Sequence, residues 1–333
     1  MSGVLDVVVV GAGPCGIAAG AAARQAGLSA VLFDRGCVTQ SLIGYPYYLQ
    51  YFSTAEKLEI AGVPFTIPDS KPTRREALAY YRRVVQERGL AVRQYEDVTA
   101  VSGSAGDFTV STRKVSGAEG SVRCGAVVIA TGGFAEPNWI GAPGEDLPKV
   151  LHYYREPYPF FDQDVLIVGG RNSAVEAALE LFRNQTRVTM VHFEPTLDPG
   201  VKPWVVPDIA NRLKSGEIPA YFRHRVAEVK AETVVLRSDE TGRTVELKND
   251  WVLAMTGWHA DPRLLRSLGV SIDAATGIPA HEPATMETDV PGVFLAGVLA
   301  AGYDANKIFI ENGRDHGALI ARALVARGAG PGR

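Results

Sequence analysis

The run Val7 to Gly16, VVVVGAGPCG, constrains the fold of this chain more than any other stretch. Its valines favour a strand, and the alanine-rich Ile17 to Ala26 beyond the glycines favours a helix. The sequence therefore predicts strand, glycine turn and helix, with a separate task for each glycine of GxGxxG. Gly11 permits the tight turn, Gly13 lets the backbone approach a pyrophosphate, and Gly16 lets the helix pack on the strand. Free N–H groups and the positive dipole end of that helix then suit phosphate oxygens. A second strand, Ala30 to Phe33, leads to Asp34, 23 residues after Gly11. A carboxylate there can accept hydrogen bonds from the adenosine ribose of FAD or NAD. Pro14 suits the first helical position, which puts Cys15 in the first turn, where the dipole would lower a thiol pKa.

Gly36 to Phe52 has no clean periodicity and reads as a covering loop, with Gln40 and Tyr45 placed at the first dinucleotide by their order in the chain. Thr73 with Glu76 forms a capping box for a helix running to about Arg88. The basic residues Lys71, Arg74, Arg75, Arg82 and Arg83 around it read as a solvated face. Leu90 to Val101, Asp107 to Lys114 and Gly120 to Gly125 predict a small antiparallel meander, and Val98 within it is another candidate cofactor contact. Ala126 to Ala130 is then a buried strand entering Thr131-Gly132-Gly133, which would return beside the first strand and present Thr131 and Gly132 to the same dinucleotide.

The pattern then begins again. Asp164 to Val168 leads into Gly169-Gly170-Arg171-Asn172-Ser173-Ala174, followed by a helix from Val175 to about Arg183 and a strand from Arg187 to His192. His192 lies 23 residues after Gly169, the same interval as in the first copy. This is an internal repeat, and it implies a second dinucleotide site at Gly169 to Ala174. The copies differ where a ribose would sit. His192 offers no carboxylate and tolerates a 2′-phosphate, which tilts the second site toward NADPH; Arg187 and Lys202 argue the same way and Glu194 argues against it. Arg171 would crowd a pyrophosphate unless it swings out to pair with phosphate. Trp251 to Gly257 repeats the strand-to-Thr-Gly pattern through Thr256 and Gly257. A further buried strand ends at Gly297, with Asn306, Lys307 and Ile308 beyond it as flavin-side candidates and a final helix from about Ala305 to Ala326.

The expected fold is α/β, with two Rossmann-like dinucleotide-binding domains and the second inserted in the first. Residues 1–135 and 258–333 would form an FAD domain and residues 136–257 an NADPH domain. At 333 residues there is room for both cores. A net charge of −3 gives no global electrostatic case for nucleic acid or an anionic membrane. No stretch approaches the roughly 20 apolar residues of a membrane-spanning helix. Nor is a secretory leader evident, so a cytoplasmic location is expected. The 3 cysteines, Cys15, Cys37 and Cys124, are odd in number and far apart, against a disulfide framework or a four-ligand zinc site.

The order GxGxxG, Thr-Gly-Gly, GGxxSA, Ala-x-Thr-Gly and Gly-Val-Phe-x-Ala-Gly resembles the two-domain flavoprotein disulfide reductases in the compact, thioredoxin reductase-like form. More specific stretches resemble the bacillithiol disulfide reductase family: Gly13-Pro14-Cys15-Gly16, Phe52 to Phe65, Val201-Lys202-Pro203-Trp204, Asn249-Asp250, Ala254 to His259, Thr285 to Thr288 and Ala300 to Arg314. The resemblance covers nearly the whole chain. It implies FAD, hydride from NADPH, reduction of the small disulfide of bacillithiol, and a homodimer. Two departures from the wider thioredoxin reductase pattern stand out. His152 and Arg155 occupy the places of the CxxC pair, and Val298 follows Gly297 where an Asp usually contacts the flavin chain. Cys15 is the candidate redox thiol, able to attack one sulfur of the substrate; His152 and His259 are lesser catalytic candidates. A ferredoxin-, flavodoxin- or quinone-directed NADPH reductase and a flavin-binding redox sensor also need no CxxC.

Overall fold

A computed structural model describes residues 3–305 and 307–329. The chain divides into two compact units, one of residues 1–43, 49–136 and 258–333, the other of residues 44–48 and 137–257.

In the first unit the glycine turn sits between β1 (Leu5–Val10) and α1 (Pro14–Gln25), and β2 (Ala30–Asp34) follows. Thr73 accepts a hydrogen bond from the Glu76 amide while Glu76 accepts one from the Thr73 amide, starting α2 (Arg74–Glu87) with the capping box that the sequence predicts. The stretch expected as the first meander strand is two elements. β3 (Ala91–Gln94) pairs in parallel with β2, and β4 (Glu96–Ser104) begins a hairpin with β5 (Asp107–Lys114). Tyr95 between them has φ +56°, a left-handed turn that redirects the chain. The third meander strand and the buried strand are one continuous β6 (Glu119–Ile129), whose early residues pair with β5 and whose later ones pair with β1. Exposure falls along β6 until Val127, Val128 and Ile129 are fully enclosed. A parallel strand covered on both faces needs such an unbroken apolar run, and Val7 to Val9 of β1 are the same.

The second unit repeats the construction. β7 (Asp164–Val168), α3 (Asn172–Arg183) and β8 (Arg187–His192) are followed by α4 (Val206–Ser215) and β9 (Ala220–Phe222). A separate antiparallel sheet contains β10 (His224–Val229), β11 (Thr233–Ser238) and β12 (Thr244–Lys248), after which β13 (Trp251–Ala254) returns beside β7. The sheet order β9-β8-β7-β13, with the short strand Val150–Leu151 as a fifth beyond β13, is parallel throughout. Ala174, Ala177, Ala178 and Leu181 of α3 pack on Val165, Ile167 and Leu253 beneath.

The chain re-enters the first unit at Trp258 and later adds β14 (Glu287–Thr288) and β15 (Val293–Leu295), the latter parallel to β6. The final helix is not continuous from Ala305. A single turn, Ile310–Gly313, is capped by the Asn312 side chain on the Phe309 amide, and α5 (His316–Ala326) follows as a separate helix. α5 packs on α1 at Gly317, where an added Cβ would stand 2.7 Å from the Ala19 Cα. Among the described residues, no helix is long and apolar enough to cross a membrane.

Candidate functional site

The first glycine turn separates its glycines by what surrounds them. Gly11 has φ +109°, and a Cβ there would lie 2.3 Å from the Ala130 carbonyl oxygen; at Gly16 it would lie 2.0 Å from the Gly11 oxygen. Both positions are closed by backbone. A Cβ at Gly13, or at Gly132 opposite with φ +79°, would meet nothing within 4 Å. The Gly13 cap makes no side-chain hydrogen bond and Pro14 occupies the start of α1, so the first-turn amides of Cys15 and Gly16 have no acceptor within the helix. Closed glycines that shape the turn and open ones facing free N–H groups fit a pyrophosphate cradle. Thr131 and Gly132 stand beside it because the Ala130 amide donates to Val10.

The Asp34 carboxylate is partly engaged within the protein. One oxygen accepts the Ala12 amide and the other the Gly36 amide, each at 2.8 Å, bracing the glycine turn against the end of β2. Gln40 turns back on its own loop: its Oε1 accepts from the Cys37 amide and lies 3.2 Å from Cys37 Sγ. Tyr45 is half-buried, and desolvation pushes its phenol up to about 12. Val98 is half-buried at an irregularity in the β4–β5 pairing. Lys307 is exposed and 4.0 Å from Asp304, and Ile308 packs toward Gly313; Asn306 lies outside the described residues.

Cys15 corrects an expectation. Its Sγ is wedged against two distant backbone segments, so that a Cβ built on Gly297 would lie 3.0 Å from it and one on Gly313 2.9 Å. Burial pushes the thiol up to about 12, opposite to the depression a helix N-terminus alone would give. Gly297 itself has φ +80° and donates its N–H to His316 Nδ1 at 3.2 Å. That histidine, absent from the sequence-based candidates, is held below its usual range by burial and by nearby His281. Val298 fills the space beside Gly133 in place of the expected aspartate.

In the second unit, Gly169 has φ +139° and a Cβ there would lie 2.6 Å from the Met255 oxygen. The His192 ring lies against Gly170, 2.4 Å from the position of an added Cβ. His192 is buried, with Nδ1 unpartnered, and desolvation holds its pKa below the usual range. Arg171 caps α3 without a side-chain cap bond and swings away to Asp198, its Nε 3.0 Å from the carboxylate, rather than over the turn. Asn172 bridges the Gly200 carbonyl and the Lys202 amide, Ser173 is exposed, and Ala174 fits under Gly169. Lys202 is 8 % exposed and tied to Glu176 at 2.6 Å, which removes it as a freely presented cation. Arg187 begins β8 and is bound to Asp162 and Asp164, a strand length of roughly 17 Å from the His192 end. It cannot serve a ribose phosphate there. Thr256 bonds to the Asn138 carbonyl, and Gly257, with φ +92°, accepts from the Asn138 amide.

At the places of a dithiol, His152 Nε2 lies 3.6 Å from Glu145 and edge-on to Trp139, with burial holding its pKa down, while Arg155 is exposed and its carbonyl accepts the Tyr47 amide. Neither can exchange a disulfide.

Two glycine turns of one construction, in a chain with no vicinal dithiol, define the class as an oxidoreductase of the pyridine nucleotide type. A family model described as Pyridine nucleotide-disulphide oxidoreductase matches residues 8–297. Bacilliredoxin reductase Bdr of Bacillus subtilis is 43% identical over 96% of this chain and 97% of its own length. Among solved structures, Bacillithiol Disulfide Reductase Bdr (YpdA) from Bacillus cereus superposes with a TM-score of 0.95 at 40% identity, covering 98% of this chain and 100% of that one. The corresponding Staphylococcus aureus structure gives 0.91 at 37% identity, covering 97% and 98%. The chain belongs to the pyridine nucleotide-disulphide oxidoreductases and, within them, to the bacillithiol disulfide reductase family.

Proposed function

We propose that this chain is an FAD-dependent NADPH:disulfide oxidoreductase that reduces bacillithiol disulfide to bacillithiol, working in the cytoplasm as a homodimer. The observation that carries this reading is the end-to-end likeness to the two bacillithiol disulfide reductase structures in a chain with His152 and Arg155 in the dithiol positions. FAD, when bound, supplies two-electron transfer from nicotinamide to a disulfide. Gly11, Gly13, Pro14 and Gly16, with Thr131 and Gly132, would hold its pyrophosphate, and Asp34 its ribose through the lone pairs left beside the Ala12 and Gly36 bonds. Gln40, Tyr45, Val98, Gly297, Asn306, Lys307 and Ile308 complete the proposed flavin set. Gly169 to Ala174, His192, Lys202, Thr256 and Gly257 would frame the nicotinamide coenzyme.

For thiol exchange we assign Cys15. Its thiolate would attack one sulfur of bacillithiol disulfide, forming a mixed disulfide and releasing one bacillithiol; two electrons and two protons would then restore the Cys15 thiol and free the second. Burial opposes the deprotonation this requires.

The test is NADPH oxidation by FAD-loaded protein against a panel of small disulfides, ferredoxin and flavodoxin. Turnover of bacillithiol disulfide above the other acceptors is the expected result. Brisk ferredoxin reduction with none of bacillithiol disulfide overturns the assignment.

A further inference from the structure

The residues that the sequence offers for a 2′-phosphate do not present themselves to one: Arg187 is at the wrong end of β8, Lys202 is enclosed against Glu176, and His192 is buried under Gly170. Other cations are gathered where that phosphate would sit. In a Rossmann unit the adenosine ribose lies at the carboxyl end of the second strand, which here is His192. β9 pairs in register with β8, His192 opposite Phe222, so the chain leaving β9 emerges beside the same edge and brings Arg223 and Arg225 with it. Arg223 turns the backbone at φ +54° and donates its N–H to the Glu194 carbonyl, tying this exit to the segment after His192. The Arg225 guanidinium then lies 4.8 Å over the ring of Phe193, the residue that follows His192. From the other side Arg171 reaches the same edge as the cap of α3, directly after Gly170, against which the His192 ring lies.

Each arginine is paired with an acid, Arg171 with Asp198 and Arg225 with Asp239, both at 3.0 Å. The arginine side chains are 68% and 56% exposed, the regime in which an ion pair contributes little. A phosphate dianion offers three acceptor oxygens and twice the charge of either carboxylate, and a guanidinium fork matches it in two bonds. The Phe193 face already holds one fork over the ribose edge, which limits the side-chain freedom lost on binding.

We infer that Arg171 and Arg225 together select the 2′-phosphorylated coenzyme, exchanging Asp198 and Asp239 for the 2′-phosphate, with Phe193 as the platform that aims Arg225. This deepens the nicotinamide reading of the second unit and rests on it. Glu194 and the carboxylates that are given up set a repulsive background, so selectivity depends on both arginines.

The experiment measures calorimetric binding of 2′,5′-ADP and of 5′-AMP to the FAD-loaded protein and to Arg171→Gln, Arg225→Gln and the double variant. Flavin reduction by NADPH and by NADH is followed in parallel. All of these positions are exposed, so folding is not at stake. A charge-assisted pair of hydrogen bonds corresponds to about tenfold in affinity or more, so each single variant should weaken 2′,5′-ADP by about that factor and the double variant by more. Binding of 5′-AMP and the rate with NADH should stay within about twofold, because neither carries a 2′-phosphate for the two guanidinium groups to grip. Arg187→Gln should change nothing. Equal losses for both nucleotides, or no loss for either, overturn the assignment while leaving the coenzyme reading intact. Failure of both NADPH and NADH to reduce the flavin overturns that reading and the assignment with it.

Discussion

At Cys15 two effects oppose each other, and their sizes decide the outcome. A helix N-terminus favours the thiolate by about 0.3–1 kcal/mol at exposed sites and up to about 2 in enclosed ones. Burial moves the thiol from 9.0 to about 12, a desolvation cost of about 4 kcal/mol at 1.36 per unit. Desolvation wins, and Cys15 stays protonated through neutral pH. The folded pKa is raised above the unfolded one, so this group's contribution to stability is intact below pH 9 and is lost as pH rises toward about 12. Alkylation of Cys15 by iodoacetamide should therefore climb about tenfold per pH unit between pH 7 and 10, without a plateau; a plateau near pH 7 would mean that the thiolate is stabilised after all. The glycines make a second residue-scale prediction. Gly16→Ala drives a Cβ into the Gly11 carbonyl and should cost about 1–3 kcal/mol or more in chemical denaturation. Gly13→Ala meets open space and should keep its melting temperature within about 2 °C while losing bound flavin, read from the visible absorbance of the purified protein. Full flavin retention in Gly13→Ala would place the pyrophosphate elsewhere.

Elements were legible in the sequence wherever local chemistry fixes the backbone. The two glycine turns, the Thr73 capping box and the valine strands all follow from residues within one turn or one strand of each other. Thr73→Ala should accordingly destabilise by about 1 kcal/mol, measured by urea unfolding. What the sequence withheld depends on partners far along the chain. β6 is continuous because its first half pairs with β5 and its second with β1, a division that no local pattern announces. Lys202 finds Glu176 and Arg171 finds Asp198 across more than twenty residues, and the surroundings of Cys15 come from Gly297 and Gly313 near the other end of the chain. The interrupted last helix has the same origin. Asn312 caps a new start at Phe309, and α5 is placed by the contact of Gly317 with Ala18 and Ala19 of α1, the helix that opens the first cradle. Gly317→Val should push α5 off α1, with a loss of about 1–3 kcal/mol and weaker flavin retention. Unchanged stability would show that α5 does not brace the turn.

Across the whole molecule, the chain is one βαβ design used twice, with glycine turns alike in construction and unlike in the side chains at their rims. In the first unit the rim carries a carboxylate and a half-buried thiol; in the second it carries arginines and no carboxylate at the strand end. If the first unit performs disulfide exchange and the second receives the coenzyme, the two half-reactions must separate by mutation. Cys15→Ala removes a small side chain without adding a group that the turn must house, so the cradle keeps its shape. Under anaerobic mixing with NADPH, the flavin of Cys15→Ala should bleach at a rate within about twofold of the parent, since the proton and sulfur chemistry of Cys15 enters only afterwards. Reoxidation by bacillithiol disulfide should then fall by about a hundredfold or more, the loss expected when the attacking nucleophile is removed rather than misaligned. Reoxidation at the parent rate would take Cys15 out of the mechanism and leave direct reduction of the substrate by the flavin. With no dithiol to pass electrons to a protein disulfide, addition of thioredoxin should not accelerate NADPH consumption in either protein.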